Sequence, residues 1–239
     1  MSKERIDKII ASIGTLSRKD VGKLIKEARV CVNDKIVKSV SDKIDTDIDK
    51  IFIGGEELII KKNIYIMLNK PKGVVSASAG KGEKTVVDLV PDSLKRDGLF
   101  PAGRLDKDTT GFVLITDDGN FAHNILSPKK HINKTYIAKL KNPIDDVDIK
   151  TLENGLELKD GTVFLPSLIK IIENSENPIV QIVICEGKYH QIKRMFLAVN
   201  NEVIDLNRIK MGELSLDDDL KQGECREITQ NELNLIRKK

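Results

Sequence analysis

The stretch PAGRLDKDTTGFVLITDDG, residues 101–119, sets Asp106 directly before an apolar run that reads as a buried strand. Arg104 stands two residues earlier, and Thr109 and Thr110 follow. A carboxylate at the mouth of a buried segment, beside a guanidinium that can fix an anion, suits nucleophilic or acid–base chemistry. An Arg–Asp contact that only shapes a strand entrance uses the same residues, so both readings stand at this point. Asp108, Asp117 and Asp118 add carboxylates such as a glycosidase would need in a pair across one bond. Asp117 and Asp118, however, fall where the strand must end and a helix begin, and turn and cap chemistry accounts for them.

Two further clusters carry charge of one sign. SPKKHINKTYIAKLK, residues 127–141, contains Lys129, Lys130, Lys134, Lys139, Lys141 and His131, with no acidic residue. Solvated lysines explain it; so does an electrostatic groove in which Tyr136 is a stacking platform for a base. A core tyrosine is the competing reading. In CEGKYHQIKRMF, residues 185–196, Ile192, Met195 and Phe196 lie at core-facing helical spacing, while Lys188, His190, Lys193 and Arg194 crowd the first turns. Cations there oppose the helix dipole, which predicts an anionic neighbour, either a phosphate or a carboxylate such as Asp106. SASAGKGEKT is not a phosphate-binding loop, because Gly82-Glu83-Lys84-Thr85 breaks the required Gly-Lys-Ser/Thr run. It reads as a surface loop whose Lys81 and Lys84 are free to touch a polyanion.

The elements that must position these residues are legible from periodicity. Ile6, Ile9, Ile10 and Ile13 predict a first helix stopped at Gly14. Ser17 predicts an N-cap, with Asp20 at N3, for a second helix carrying Arg18, Lys19, Lys23, Lys26 and Arg29 on its outer side. A hairpin around Asn33-Asp34 follows. Residues 3–38 hold ten basic against five acidic side chains, an excess concentrated on that second helix. We place a domain boundary near residue 60. Beyond it, strands are expected at IYIMLN, GFVLIT, KTYIAKL and IVQIVIC, and helices at GNFAHNIL, HQIKRMFLAV and QNELNLIRK, the last with a Thr229–Glu232 capping box. Strands dominate without βαβ alternation, so the expected class is α+β with a mixed, mostly antiparallel sheet.

The whole chain bounds the rest. With 239 residues it can bury one large core or two small ones. A net charge of +3 identifies no partner by itself. Cys31, Cys185 and Cys225 are too scattered for a disulfide framework or a zinc site, so reduced, partly buried thiols are expected. No apolar run is of membrane-spanning length and the N-terminus has no signal-peptide core, which predicts a cytoplasmic protein that meets no membrane.

Read in order, the motifs resemble those of the bacterial ribosomal small-subunit (16S) pseudouridine synthases. Residues 1–60 resemble an S4-like (αL) RNA-binding domain, and residues 61–239 the catalytic domain, through MLNKPKGVVSA, GRLDKDTTGFVLITDDG, SPKKHINKTY and EGKYHQIKRMF. The resemblance implies isomerisation of uridine to pseudouridine in 16S ribosomal RNA, by a monomer working on the pre-ribosomal particle, with no cofactor and no metal. It implies Asp106 as the essential carboxylate acting on the ribose of a flipped uridine, Tyr136 packing on the base, and Lys193 pairing with Asp106 where related families often have Arg. Arg104 would hold the flipped nucleotide, with RNA contacts from Arg18, Lys19, Lys23, Lys26 and Arg29 and from Lys129, Lys130, Lys134, His190 and Arg194. Large-subunit (23S) RNA, or a non-catalytic role in RNA binding or ribosome assembly, are the alternatives.

Overall fold

The computed structural model describes residues 3–13, 16–46, 48–58, 61–80, 82–127 and 130–237. The chain forms two compact units, Met1–Ile64 with Val90–Leu99, and Tyr65–Leu89 with Phe100–Lys239.

The first unit runs β1 (Glu4–Arg5), α1 (Ile6–Ser12), α2 (Arg18–Lys26), β2 (Val30–Val32), β3 (Lys35–Ile36), β4 (Lys43–Ile44), β5 (Ile51–Ile53) and β6 (Glu56–Leu58). A capping box starts α2: the Asp20 amide donates to Ser17 Oγ at 3.2 Å and the Ser17 amide to Asp20 Oδ2 at 3.3 Å. The Ser17 hydroxyl, and after it the Ser17 amide, donate to the Asp20 carboxylate and hold it below its usual range. Val21 and Ile25 turn inward onto Ile6, Ile9 and Ile10 of α1 and onto Val30 and Ile51. Arg18, Lys19, Lys23, Lys26 and Arg29 are all exposed. α1 ends at Ser12 with Ile13 as its C-cap, and the expected stop at Gly14 lies outside the described residues. Asn33 takes the left-handed conformation (φ 51°) that a two-residue hairpin demands. The reading from sequence had no strands in residues 39–58. The structure puts three there: β4, which pairs with β1, and β5 and β6, which extend the hairpin into the sheet β3-β2-β5-β6.

The second unit continues with β7 (Tyr65–Lys70), a single 3₁₀ turn (Val87–Leu89), β8 (Phe100–Ala102), β9 (Thr110–Thr116), α3 (Gly119–Leu126), β10 (Lys134–Leu140), α4 (Asp146–Glu153), β11 (Leu156–Glu157), β12 (Val163–Phe164), β13 (Leu168–Glu173), β14 (Ile179–Ile184), α5 (Gln191–Ala198), β15 (Val203–Met211), β16 (Leu214–Ser215), β17 (Cys225–Glu227) and α6 (Gln230–Ile236). The sheet order is β13-β14-β10-β15-β9-β7-β17, with β16 beside β15 and β8 beside β9. Of these pairings only β9 with β15 is parallel, so the sheet is mixed and mostly antiparallel. Phe112 and Leu114 of β9 and Met211 of β15 pack with Phe121 and Ile125 of α3 and Leu233 and Ile236 of α6 in one apolar cluster. Both helix starts are capped as the sequence predicts: Asp118 accepts from the Phe121 amide at 2.9 Å, and Thr229 with Glu232 forms a capping box. Among the described residues no helix is long and apolar enough to cross a membrane.

Candidate active site

Asp106 lies in the loop that enters β9, and that loop is gripped from two sides. Lys70, at the end of β7 and fully buried, donates from Nζ to the carbonyls of Pro71 (3.2 Å), Asp106 (3.0 Å), Lys107 (3.2 Å) and Thr109 (2.8 Å). Ser76 Oγ donates to the Leu105 carbonyl and accepts from the Leu105 amide, both at 3.0 Å. The Thr109 amide closes a turn on the Asp106 carbonyl at 3.1 Å. Backbone groups that no ladder satisfies are thus paired by two side chains, which fixes where the Asp106 side chain emerges. Burial pushes the Lys70 ammonium down to about 8, opposed by the charges of Asp108 and Asp106.

The carboxylate of Asp106 is about three-tenths exposed and faces two residues of the α5 start. Lys193 Nζ is 3.4 Å from its Oδ2, and His190 Nε2 is 3.5 Å from its Oδ1. The first-order partner of Lys193 is Asp108, which its ammonium meets at 2.7 and 2.8 Å. The expected Lys193–Asp106 pair is therefore a shared cation between two carboxylates. A four-carbon stem carries a point charge that can serve both, and Asp108 takes the shorter contacts. Burial works to lower the Lys193 ammonium's pKa, but the Asp108 hydrogen bond and both carboxylates raise it; the Lys193 hydrogen bond draws the Asp108 carboxyl down. His190 sits at φ 47° as the N-cap of α5, with Tyr189 stacked on its ring at 3.8 Å and itself largely exposed.

Tyr136, on β10, is buried at 6% exposure and lines the same cleft. Its cross-strand neighbour on β15 is Arg208, which the sequence reading did not single out. The Arg208 Nη1 approaches the phenol oxygen at 3.5 Å, and its Nε donates to the Phe112 carbonyl of β9 at 2.7 Å. β9 can come this close because Gly111 (φ +96°) has no Cβ; one would stand 2.3 Å from the Arg208 carbonyl oxygen. Asp106, Arg104, Tyr136, Tyr189, His190 and Arg208 all border a cleft of about 870 Å³.

The remaining expected contact residues divide. Arg104 is exposed on the cleft rim, and no ion pair joins it to Asp106. Lys134 is not a surface contact: it is buried in the cleft wall, its Nζ donating to the Ile132 carbonyl at 2.9 Å. The structure also moves Arg194 away from the cleft, where it pairs with Asp160 and lies over the Phe164 ring. Its helix position, one residue beyond Lys193, rotates it about 100° from the Asp106 side. Lys130 is exposed, and Lys129 lies outside the described residues.

The RNA pseudouridylate synthase family matches residues 64–198, and the S4 domain family residues 4–47. The chain belongs to the RNA pseudouridylate synthase family. Over 97% of its length the synthase is 45% identical to an uncharacterized RNA pseudouridine synthase of Bacillus subtilis, YtzG, of which 98% is covered. It is 38% identical to the ribosomal large subunit pseudouridine synthase B of the same organism, over 98% of this chain and 96% of that one. To the ribosomal small subunit pseudouridine synthase A of Vibrio vulnificus it is 40% identical, over 97% and 99%. A solved pseudouridylate synthase covers 98% of the synthase and is itself 99% covered, at TM-score 0.67 and 38% identity.

Lys70, Ser76 and Arg208 escape the sequence reading for different reasons, while Asp108 is named there only as a carboxylate and not as the partner of Lys193. Lys70 closes a run, IYIMLNK, whose apolar character made its charge look like a strand end. Ser76 and Leu105 are 29 residues apart. Arg208 follows Asn207 in a strand that mixes polar and apolar residues, so nothing local marks it as buried, and the pairing with β10 shifts just beyond it, at Ile209.

Proposed function

We propose that the synthase converts uridine to pseudouridine in 16S ribosomal RNA, with Asp106 as the carboxylate that acts on the ribose of a uridine swung out of its stack. The observation that carries this reading is the cleft itself: one partly exposed carboxylate, on a loop fixed by Lys70 and Ser76, opposite a buried tyrosine and beside a cation. Breaking the N-glycosidic bond needs a group placed at C1′ or C2′ of the sugar. Rejoining through C5 needs the freed base to turn without leaving, which the cleft walls permit. Flipping a base costs a few kcal/mol, which phosphate contacts offset. The exposed cations of α2, with Arg104 and Lys130, are our candidates for those contacts, and unpaired loop RNA is the substrate form whose bases can splay out.

The similarity to a large-subunit synthase, 38% against 40% for a small-subunit one, supports 23S RNA as a second reading of the target. Both are tested together by tritium release from 16S and 23S transcripts labelled at C5 of uridine, since isomerisation frees that hydrogen. The expected result is release from 16S RNA by the parent and none by Asp106→Asn, with RNA affinity kept within a few fold. Parental turnover by Asp106→Asn would sink the assignment of the carboxylate. Release from 23S RNA alone would move the target.

A further inference from the structure

Arg208 is among the largest fully buried side chains of the protein, at 2% exposure, yet it stands in the wall of the cleft that holds Asp106. Its Nε and Nη1 are engaged by the Phe112 carbonyl and the Tyr136 hydroxyl, while Nη2 is buried with no hydrogen-bond partner among the described residues. Among those residues no carboxylate pairs with it. A guanidinium taken out of water with neither a counter-charge nor full hydrogen bonding is costly unless something else supplies the anion.

The neighbourhood repeats the pattern. Lys134, 6% exposed in the same wall, is satisfied by one carbonyl, and burial together with the Arg208 charge lowers its pKa to about 8. Thr109, which lines an adjoining recess beside Asp106 and Tyr136, has a buried hydroxyl with no hydrogen-bond partner among the described residues. Two cations and an idle hydroxyl face a cleft whose two lining carboxylates are already engaged, Asp106 beside Lys193 and His190 and Glu83 on Lys107.

We propose that Arg208 and Lys134 form a cationic floor that stabilises the negative charge on uracil as it leaves the sugar, acting through the Tyr136 hydroxyl that Arg208 holds. The inference rests on the reading in the preceding section. In that reaction the N1–C1′ bond breaks and its electron pair stays on the base, spread over N1, O2 and O4. A C5–C1′ bond then forms, C5 releases its proton, and N1 gains one, so no oxidant or reductant enters. The phenol accepts from Arg208 and keeps its own proton to donate into the cleft, and an accepted hydrogen bond strengthens a donated one. Arg208 is thus a positioning residue, preorganised toward charge that develops only as the bond breaks, which raises rate and leaves ground-state binding alone. A phosphate contact would do the reverse.

The test compares leaving groups. Single-turnover loss of uridine or 5-fluorouridine from target RNA is followed by mass spectrometry of the digested nucleosides, for the parent, Arg208→Gln, Arg208→Lys and Lys134→Met; uridine ends as pseudouridine, whereas 5-fluorouridine, with no C5 proton to release, rejoins through C5, keeps its fluorine and takes up water at C6. Fluorine makes the departing base a better anion, so it needs the floor less. Arg208→Gln is expected to lose about 100-fold in rate on uridine, with half-saturation within about threefold, and only about tenfold on 5-fluorouridine. Arg208→Lys should recover most of the rate. Equal losses on the two substrates, or a loss confined to half-saturation as for a phosphate contact, overturn the proposal. If Arg208→Gln fails to fold, Lys134→Met carries the same comparison with the same two overturning results. An inactive parent would sink the proposed function itself, and is distinguished by being read before any variant.

Discussion

Lys70→Met removes the ammonium that ties β7 to the Asp106 loop and keeps most of the stem's volume. Four carbonyls lose a donor, but the Lys107 carbonyl keeps the Gly73 amide at 2.8 Å and the Asp106 carbonyl keeps the Thr109 amide at 3.1 Å. A charge-assisted hydrogen bond contributes about 1.5–3 kcal/mol net. Relief from burying an ammonium offsets part of the total. We therefore expect a loss of about 3 kcal/mol, which for a unit of this size lowers the melting temperature by roughly 6–12 °C. The assay is thermal unfolding followed by circular dichroism, alongside tritium release well below the melting point. Because the lost donor holds the Asp106 backbone, the folded variant should also turn over about 10–100-fold more slowly. A melting temperature within about 2 °C of the parent, at undiminished rate, would refute the clamp.

Other outcomes follow from the same contacts. Folding lowers the Lys70 pKa from 10.5 to about 8, so between those values the unfolded chain binds more protons; the stability of the parent relative to Lys70→Met should rise with pH through that window, and parallel urea titrations near pH 7 and pH 10 that show no divergence would contradict it. Hydrogen bonds from Arg226 hold the Glu232 carboxyl at about 2 against 4.5 unfolded, so its contribution is present above about pH 4.5 and lost as pH falls toward 2; Glu232→Gln should flatten that part of the acid-unfolding curve. Gly111→Ala places a Cβ 2.1 Å from Asn207 Oδ1 at a positive φ and should cost about 3 kcal/mol or prevent soluble folding, read by expression and melting. Asp108→Asn should change stability by under about 1 kcal/mol, because Asp108 is two-thirds exposed, and should slow tritium release less than Asp106→Asn; equal inactivity would shift the chemistry toward Asp108.

Local signals were legible where a short stretch carries its own physics. Ser17 with Asp20, Asp118, and Thr229 with Glu232 cap helices because their side chains satisfy amides two or three residues away. β7, β9, β10 and β14 announce themselves by β-branched and apolar runs. β13, α4 and β15 do not, since charged residues interleave them, and β5 does not because its apolar run is only three residues long, too short to show a period. Lys134 and Arg194 were misread for a related reason: a basic residue's type says nothing about whether a wall or a local carboxylate has claimed it.

Sequence by itself determined the fold class, the family, and the presence of Asp106, Tyr136, His190 and Lys193 in motifs that could serve one site, because each motif is a contiguous stretch. Only the tertiary structure decided which groups meet: that Lys193 lies closer to Asp108 than to Asp106, that Lys70 and Ser76 hold the loop, and that Arg208 stands buried in the cleft wall beside Tyr136. Those contacts join residues 29 to 96 positions apart, and they arise from strand order and register, which no local pattern encodes.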